Sequence, residues 1–310
     1  MKFKNFKKNS LILTIFILCL LFIKGYTMAS STNTAPYYGV DIDLHNVGVD
    51  IRVNDIPVYF DDSKGQLTVE IPTPDSIVDG KNTLSINAFL PTKTTKYEEG
   101  AYVSVTLFQQ DLAQENSKKI KLSTATLKLN DINAVAIIED YVTNITDSPS
   151  INLNQDKSTS LSVSTFIDSP FPRWSWQDGQ LIVDNQNNQD SLIEAYQVIH
   201  DALATKNLVN LKKLYSKRSK EISIAYNLPN EDAGHQKLSV GNDMYNEELE
   251  LRDLFIKNMT IHILANGKLA RISTSRNTQP IYYLQENPRL LHLYKFMFYL
   301  NDKGEWVMIR

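Results

Sequence analysis

The chain has 310 residues, room for about two ordinary domains at roughly 100–200 residues each. Hydrophobic residues make up 42% and charged residues 22%, which excludes collagen, coiled coil and a wholly disordered chain. The net charge of −3 gives the chain no electrostatic basis for nucleic-acid binding.

The N-terminus reads as an address. Lys2, Lys4, Lys7 and Lys8 form a basic n-region, and Leu11 to Ile23 is apolar apart from Thr14. Thr27-Met28-Ala29 places short side chains where a signal peptidase reads. The pattern predicts a secretory signal over 1–29 and a spacer over 30–36. The apolar run is short for a membrane span, which needs about 20 residues. An uncleaved anchor over 11–23 is the alternative. Leu18 before Cys19 argues against a lipoprotein signal. Residues 1–29 hold five lysines and no acid, so their removal leaves 27 basic against 35 acidic residues, a net charge of −8. It also removes the single cysteine. An exported, cysteine-free, acidic body suits a bacterial envelope, with the periplasm as the expected location.

From Val40 the apolar residues alternate. Val40, Ile42 and Leu44 are followed by Val47, Val49, Ile51 and Val53, with Asp41, Asp43 and Asp50 between them. The rhythm returns over 67–71, 84–90, 101–107 and 120–129, separated by turn formers such as Asn54-Asp55 and Asp79-Gly80. Period two means one buried face and one wet face. Many short strands at this spacing predict an all-β sandwich over 37–185. Asn133 to Val142 breaks the alternation, and 152–159 reads as a loop. Ile51 to Val58 followed by Gly80-Lys81-Asn82-Thr83-Leu84-Ser85-Ile86 resembles the galactose-binding-like jelly-roll modules. That resemblance implies a sandwich and carries no sugar site, because such sites sit in variable end loops.

Arg173 to Val183 reads as a hairpin turning at Asp178-Gly179. Trp174 and Trp176 are expected on one face, as a cap on the core or as an aromatic platform for a sugar ring. Residues 186–190, within a polar run from Asp184, read as a linker.

After Asp190 the period changes to 3.6. Leu192, Ala195, Tyr196, Ile199, Ala202 and Leu203 form a helical stripe, opened by a capping box at Ser191 and Glu194. Asn207 is positioned to cap a second helix, and Asn246 to open a third through Phe255. Strands follow, with Asn266-Gly267 as a hairpin turn. The expected second domain, 191–310, is α+β, with helices first and then an antiparallel curved sheet. The order resembles the nuclear-transport-factor-two-like cone, with a cystatin-like helix-on-sheet as the neighbouring alternative.

The chain carries no phosphate-cradling glycine motif, no nucleophile elbow and no H-x-x-x-H pair. No cofactor and no metal are therefore expected, and no catalytic residue is assigned. Two groups are candidates. His262, Arg271, Tyr282, Tyr283, His292, Tyr294 and Trp306 fall on the expected second sheet, where convergence would build a polar-aromatic ligand pocket. Lys213, Lys217 and Lys220 share a helical face at i, i+4, i+7, either as a solvated face or as a basic docking surface. These features predict a non-catalytic binding module of the envelope, with a protein or glycan partner. The alternatives are an enzyme acting on a small or polysaccharide substrate through the second domain, and a protective, inhibitor-type protein. Nucleic acid is excluded, and membrane contact is expected only through an uncleaved signal.

Overall fold

Alternating apolar residues organise the first lobe of the computed structural model, which describes residues 36–112, 114, 116–130, 134–140, 150–153, 158–273 and 278–310. The expected signal segment and all but the last residue of the spacer lie outside the described residues. Ten strands follow in order: β1 Tyr37–His45, β2 Gly48–Val53, β3 Ile56–Asp61, β4 Gln66–Pro72, β5 Gly80–Phe89, β6 Ala101–Gln110, β7 Ile120–Leu129, β8 Ala134–Asp140, β9 Ser150–Leu153 and β10 Thr159–Ile167. They form two five-stranded antiparallel sheets, ordered β4-β1-β6-β7-β8 and β3-β2-β5-β10-β9. Val40, Ile42 and Leu44 of the first sheet and Val49, Ile51, Leu84, Ile86, Leu161 and Val163 of the second are buried in one shared core. Where the alternation breaks, residues 134–140 still form a strand, because β7 supplies the ladder from Ser123 to Leu129.

The expected wet face of Asp41, Asp43 and Asp50 is divided. Asp41 and Asp43 stand on the first sheet, where Asp41 pairs with Lys119 at 2.7 Å and Asp43 accepts from Tyr102 at 2.9 Å. Asp50 stands on the outer face of the second sheet.

The segment expected to be a hairpin at 173–183 is a 3-10 turn over Ser175–Asp178. The Trp174 indole is fully buried and donates to the Ile77 carbonyl at 2.6 Å. Gln177 accepts from the Trp174 amide, and Glu221 from the Ser175 amide, both at 2.8 Å. Long-range anchoring of the indole overrides the local Asp-Gly turn signal.

The second lobe contains five helices: α1 Gln186–Ala204, α2 Leu208–Leu214, α3 Ser216–Ala225, α4 Glu231–Gln236 and α5 Val240–Asp243. Helix α1 begins five residues before the expected capping box, because Asn185 caps it by accepting from the Asn188 amide. Residues 186–190, expected as linker, are thus its first turn and more. Asn207 caps α2 as expected. Lys213 and Lys217 do not share a helix, since the chain breaks at Tyr215 (φ −113°). Its ring is buried against His235, with centroids 5.0 Å apart.

The strands of this lobe form two sheets rather than one curved sheet. One is ordered β11-β14-β15, from Leu249–Leu251, Tyr282–Gln285 and Leu290–Leu293. The other is ordered β12-β13-β16-β17, from Thr260–Leu264, Leu269–Ser273, Phe298–Leu300 and Trp306–Met308. Residues 249–251 were expected in a helix. They pair instead with Gln285 to Tyr283, and Asn246 accepts from the Glu248 amide in a local turn. Among the described residues no helix is long and apolar enough to cross a membrane.

Strand β13 is buried on both faces. Ala270 and Ile272 pack with Leu192, Tyr196 and Ile199 of α1. Leu269, together with Leu264, Met297, Tyr299 and Ile309, joins the core of the first lobe. The hairpin between β12 and β13 turns through Ala265, Asn266 and Gly267, all at positive φ. Its tip donates from the Ala265 and Asn266 amides to the Asp55 carbonyl and carboxylate, at 3.3 and 3.1 Å. Residues 35–310 form one compact unit.

A charged cluster closes the same junction. Arg310, 8% exposed, lies 3.0 Å from the Asp75 carboxylate and 3.5 Å from that of Glu221. Arg218 lies beside them, donates to the Gly234 carbonyl at 3.2 Å, and is pushed down to about 10 by burial despite the charge of Asp75. Breaking one side of a buried ion pair strands the other. Asp75→Ala is therefore expected to lower unfolding free energy by about 3 kcal/mol, read from urea melts, with both lobes unfolding together. Gly234 admits α4 against α3, since a Cβ there would sit 2.1 Å from the Ser219 carbonyl oxygen. Gly234→Ala is expected to cost about 3 kcal/mol through forced backbone displacement, measured by the same melts.

Candidate functional site

The outer face of the β3-β2-β5-β10-β9 sheet is built from small polar residues. Inward apolar positions alternate with Asp50 and Arg52 on β2, Ser85 and Asn87 on β5, and Ser160 and Ser162 on β10. The register aligns them in two rows. Arg52 faces Ser85, which faces Ser162, while Asp50 faces Asn87, which faces Ser160. Ser85 and Ser162 hydroxyls meet at 3.0 Å, and Ser160 donates to Asn87 Oδ1 at 3.0 Å. These groups line an open cleft of about 450 Å³.

Arg52 is fixed within this floor. Its Nε and Nη2 donate to Asp50 Oδ2 at 3.0 and 2.7 Å, and its Nη1 to Asp55 Oδ1 at 2.8 Å. Burial opposes its charge, but the two carboxylates win and raise its pKa.

The sandwich-facing side of the β12-β13 hairpin changes character along each strand. On β13 it runs from Leu269 through Arg271 to Ser273, and on β12 from Leu264 through His262 to Thr260, with His262 paired directly to Arg271. The apolar end fastens the lobes, and Arg271 and His262 at the polar end lie within the fields of Asp50 and Arg52. Lys295, exposed before β16, belongs to the same group. Burial lowers the Arg271 pKa, and Asp50 partly opposes the shift. Desolvation, and then the Arg271 charge, lower that of Lys295. His262 is also lowered, mainly by burial, with Arg271 and Arg52 adding to the effect against its bond to the Ser273 carbonyl.

The seven residues expected in one pocket are divided among four places. His262 and Arg271 pair across β12 and β13. Tyr283, His292 and Tyr294 gather around Asp243, whose Oδ2 accepts from Tyr294 and lies 3.3 Å from His292 Nδ1. Ser239 donates to the same oxygen at 3.4 Å, so this group fastens α5 to the β11-β14-β15 sheet. Tyr282 lines a separate groove of about 240 Å³ with Phe255, Leu291 and Leu293. Trp306 donates to Ser191 at 2.9 Å and packs beside α1. The cause of this division is that the described strands from Leu249 to Met308 form two sheets.

Trp174 and Trp176 are 0% and 6% exposed, so neither indole offers a face to a sugar; they serve the core instead. Lys213, Lys217 and Lys220 are exposed on two helices, while the neighbouring Arg218 points inward. Lys212 is held by Asp232 at 2.9 Å.

Sequence reasoning missed Ser85, Asn87, Ser160, Ser162 and Lys295, and took Asp50 for ordinary surface. One signal was available: the central outward positions on β5 and β10 read Thr83-Ser85-Asn87 and Ser160-Ser162-Ser164, a run of small polar residues between Lys81 and Phe166 at the strand ends. Small hydroxyls on an outer sheet face mark a surface that something else approaches. No family model, curated protein or solved structure matches the chain.

The folded His262 pKa lies below its ordinary 6.5. The stability that depends on its neutral form is complete above that value and is lost as pH falls through the folded one. His262→Gln is expected to reduce the acid destabilisation that sets in as pH falls below the ordinary histidine value of 6.5, read as urea midpoints followed downward in pH from neutrality.

Proposed function

We propose that this chain is an exported envelope protein that binds a glycan, without transforming it, in the cleft on the outer face of its β3-β2-β5-β10-β9 sheet. The observation that carries this reading is the floor of Asp50, Arg52, Ser85, Asn87, Ser160 and Ser162 lining one open space. A few fixed polar groups set ligand orientation in such sites. Here the Arg52–Asp50–Asp55 triangle is rigid, while hydroxyls of Ser85 and Ser162 rotate freely enough to exchange their mutual bond for one to a ligand. Sugar hydroxyls are both donors and acceptors, which matches that mixture of carboxylate, amide and hydroxyl.

Export rests on the basic n-region, the apolar run over 11–23 and the short residues at Thr27 and Ala29. The galactose-binding-like and cone-like assignments rest on the Gly80 to Ile86 step and on helices preceding strands in the second lobe.

The reading is tested by titrating purified protein, residues 30–310, with a panel of neutral and acidic oligosaccharides in a calorimeter. At least one class is expected to bind, and Ser160→Trp, which fills the cleft floor, is expected to weaken it roughly tenfold or more. Equal binding by this variant, with an unchanged melting temperature, would remove the cleft as the site. Binding by no member of the panel would remove the glycan reading.

A further inference from the structure

The two faces of the β11-β14-β15 sheet differ in what covers them. Tyr283 stands opposite His292 in the ladder, and their side is closed by Tyr294 and by Asp243 of α5. Successive strand residues point to opposite sides. Tyr282 and Leu284 on β14, with Leu293 and Leu291 opposite them on β15, therefore make the other face. That side is left exposed: Leu291 is 53% and Leu293 39% accessible. The chain leaving β11 runs along its margin. There the Arg252 amide donates to the Tyr282 carbonyl at 3.2 Å, and the Phe255 amide to the Pro280 carbonyl at 3.1 Å. Phe255 thereby forms a side wall, and the space enclosed is the groove of about 240 Å³.

Apart from the Tyr282 hydroxyl, the polar members of the lining are Thr278, Arg252 and Arg289. Arg252 is engaged by Glu250 at 2.9 Å. Arg289 is exposed at the start of β15, and no ion pair is found for it among the described residues. The groove thus combines an apolar floor with one uncommitted cation. That combination selects among occupants. An extended peptide lying on the floor would bury amides against leucine and phenylalanine side chains that cannot bond them. A second copy docked on this face would carry another uncommitted Arg289 into the contact. An alkyl chain brings no polar group along its length, and an anionic head answers the guanidinium.

We infer that the groove on the open face of the β11-β14-β15 sheet binds a single alkyl chain with a carboxylate head, of the fatty-acid class. The tail lies over Leu284, Leu291 and Phe255, and the head sits at Arg289. Burial of methylenes supplies the affinity, and Arg289 sets the charge of the head that is accepted. This site is separate from the cleft on the sandwich and does not depend on it.

The test uses residues 30–310 and the fluorescent probe dansylaminoundecanoate, whose emission rises in an apolar site, with competitors kept below micelle-forming concentrations. The probe is expected to bind. Octanoate, decanoate and dodecanoate are expected to displace it, with affinity rising roughly tenfold or more across the series. Decanoate is expected to compete better than decyltrimethylammonium, by a margin that shrinks as salt rises. Arg289→Gln is expected to remove that margin and keep the chain-length dependence. Leu291→Asp, at an exposed position in the groove, is expected to weaken all three alkanoates roughly tenfold or more. Leu290→Asp, at a position 50% exposed on the opposite side of β15, is expected to change nothing. Absence of probe binding, equal effects of the two leucine substitutions, or a margin that survives Arg289→Gln overturns the inference. A dimer in light scattering that Leu291→Asp dissociates also overturns it and gives the face to a second copy.

Discussion

Strand β13 has no solvent-facing side, and much of the molecule is arranged around that constraint. Its even-numbered residues must satisfy helix α1, and its odd-numbered residues must satisfy the β-sandwich. Leu269 does so by joining the sandwich core, which welds the lobes at one end. Arg271, two residues later on the same face, enters no such core. Arg271 and Ser273 are nevertheless 7% and 1% exposed, so the polar end of the strand is buried as well.

The same junction handles buried charge in two ways. Arg310 and Arg218 are placed with Asp75 and Glu221, and Tyr226 donates to Asp75 at 3.4 Å. This cluster sits where Trp174 reaches Ile77 and where the chain's last residue lies against the first lobe. Charge there fixes geometry, since each cation has an acid to return to. At Arg271 no ion pair forms among the described residues; the acid acting on it, Asp50, is held by Arg52.

The sandwich was legible because strand alternation is a local property. Val49, Ile51, Leu84 and Ile86 each declared an inward face without reference to any partner. The long helix α1 was legible for the same reason, and Asn207 capped α2 where expected, whereas the short helices α4 and α5 carried no signal that was read. Errors fell where a distant contact outweighed a local signal. Asp178-Gly179 looked like a hairpin turn, but the buried indole of Trp174 set the path. Asn246 looked like a cap, but the edge of β14 recruited 249–251 as a strand. Of the seven residues expected on the second sheet, all but Tyr294 stand on strands. They were wrongly brought together, because sequence does not reveal that one expected sheet divides into two.

The amino-acid sequence by itself determined which residues alternate, where the period changes from two to 3.6, and that basic and apolar residues crowd the N-terminus. Those are properties of neighbours along the chain. Only the tertiary structure decided that the serine face of β5 and β10 stands near the arginine face of β13. Those residues lie more than a hundred positions apart, and no periodicity couples them. What brings them together is the double burial of β13, which places Leu269 in the core of the first lobe while Ala270 and Ile272 pack against α1.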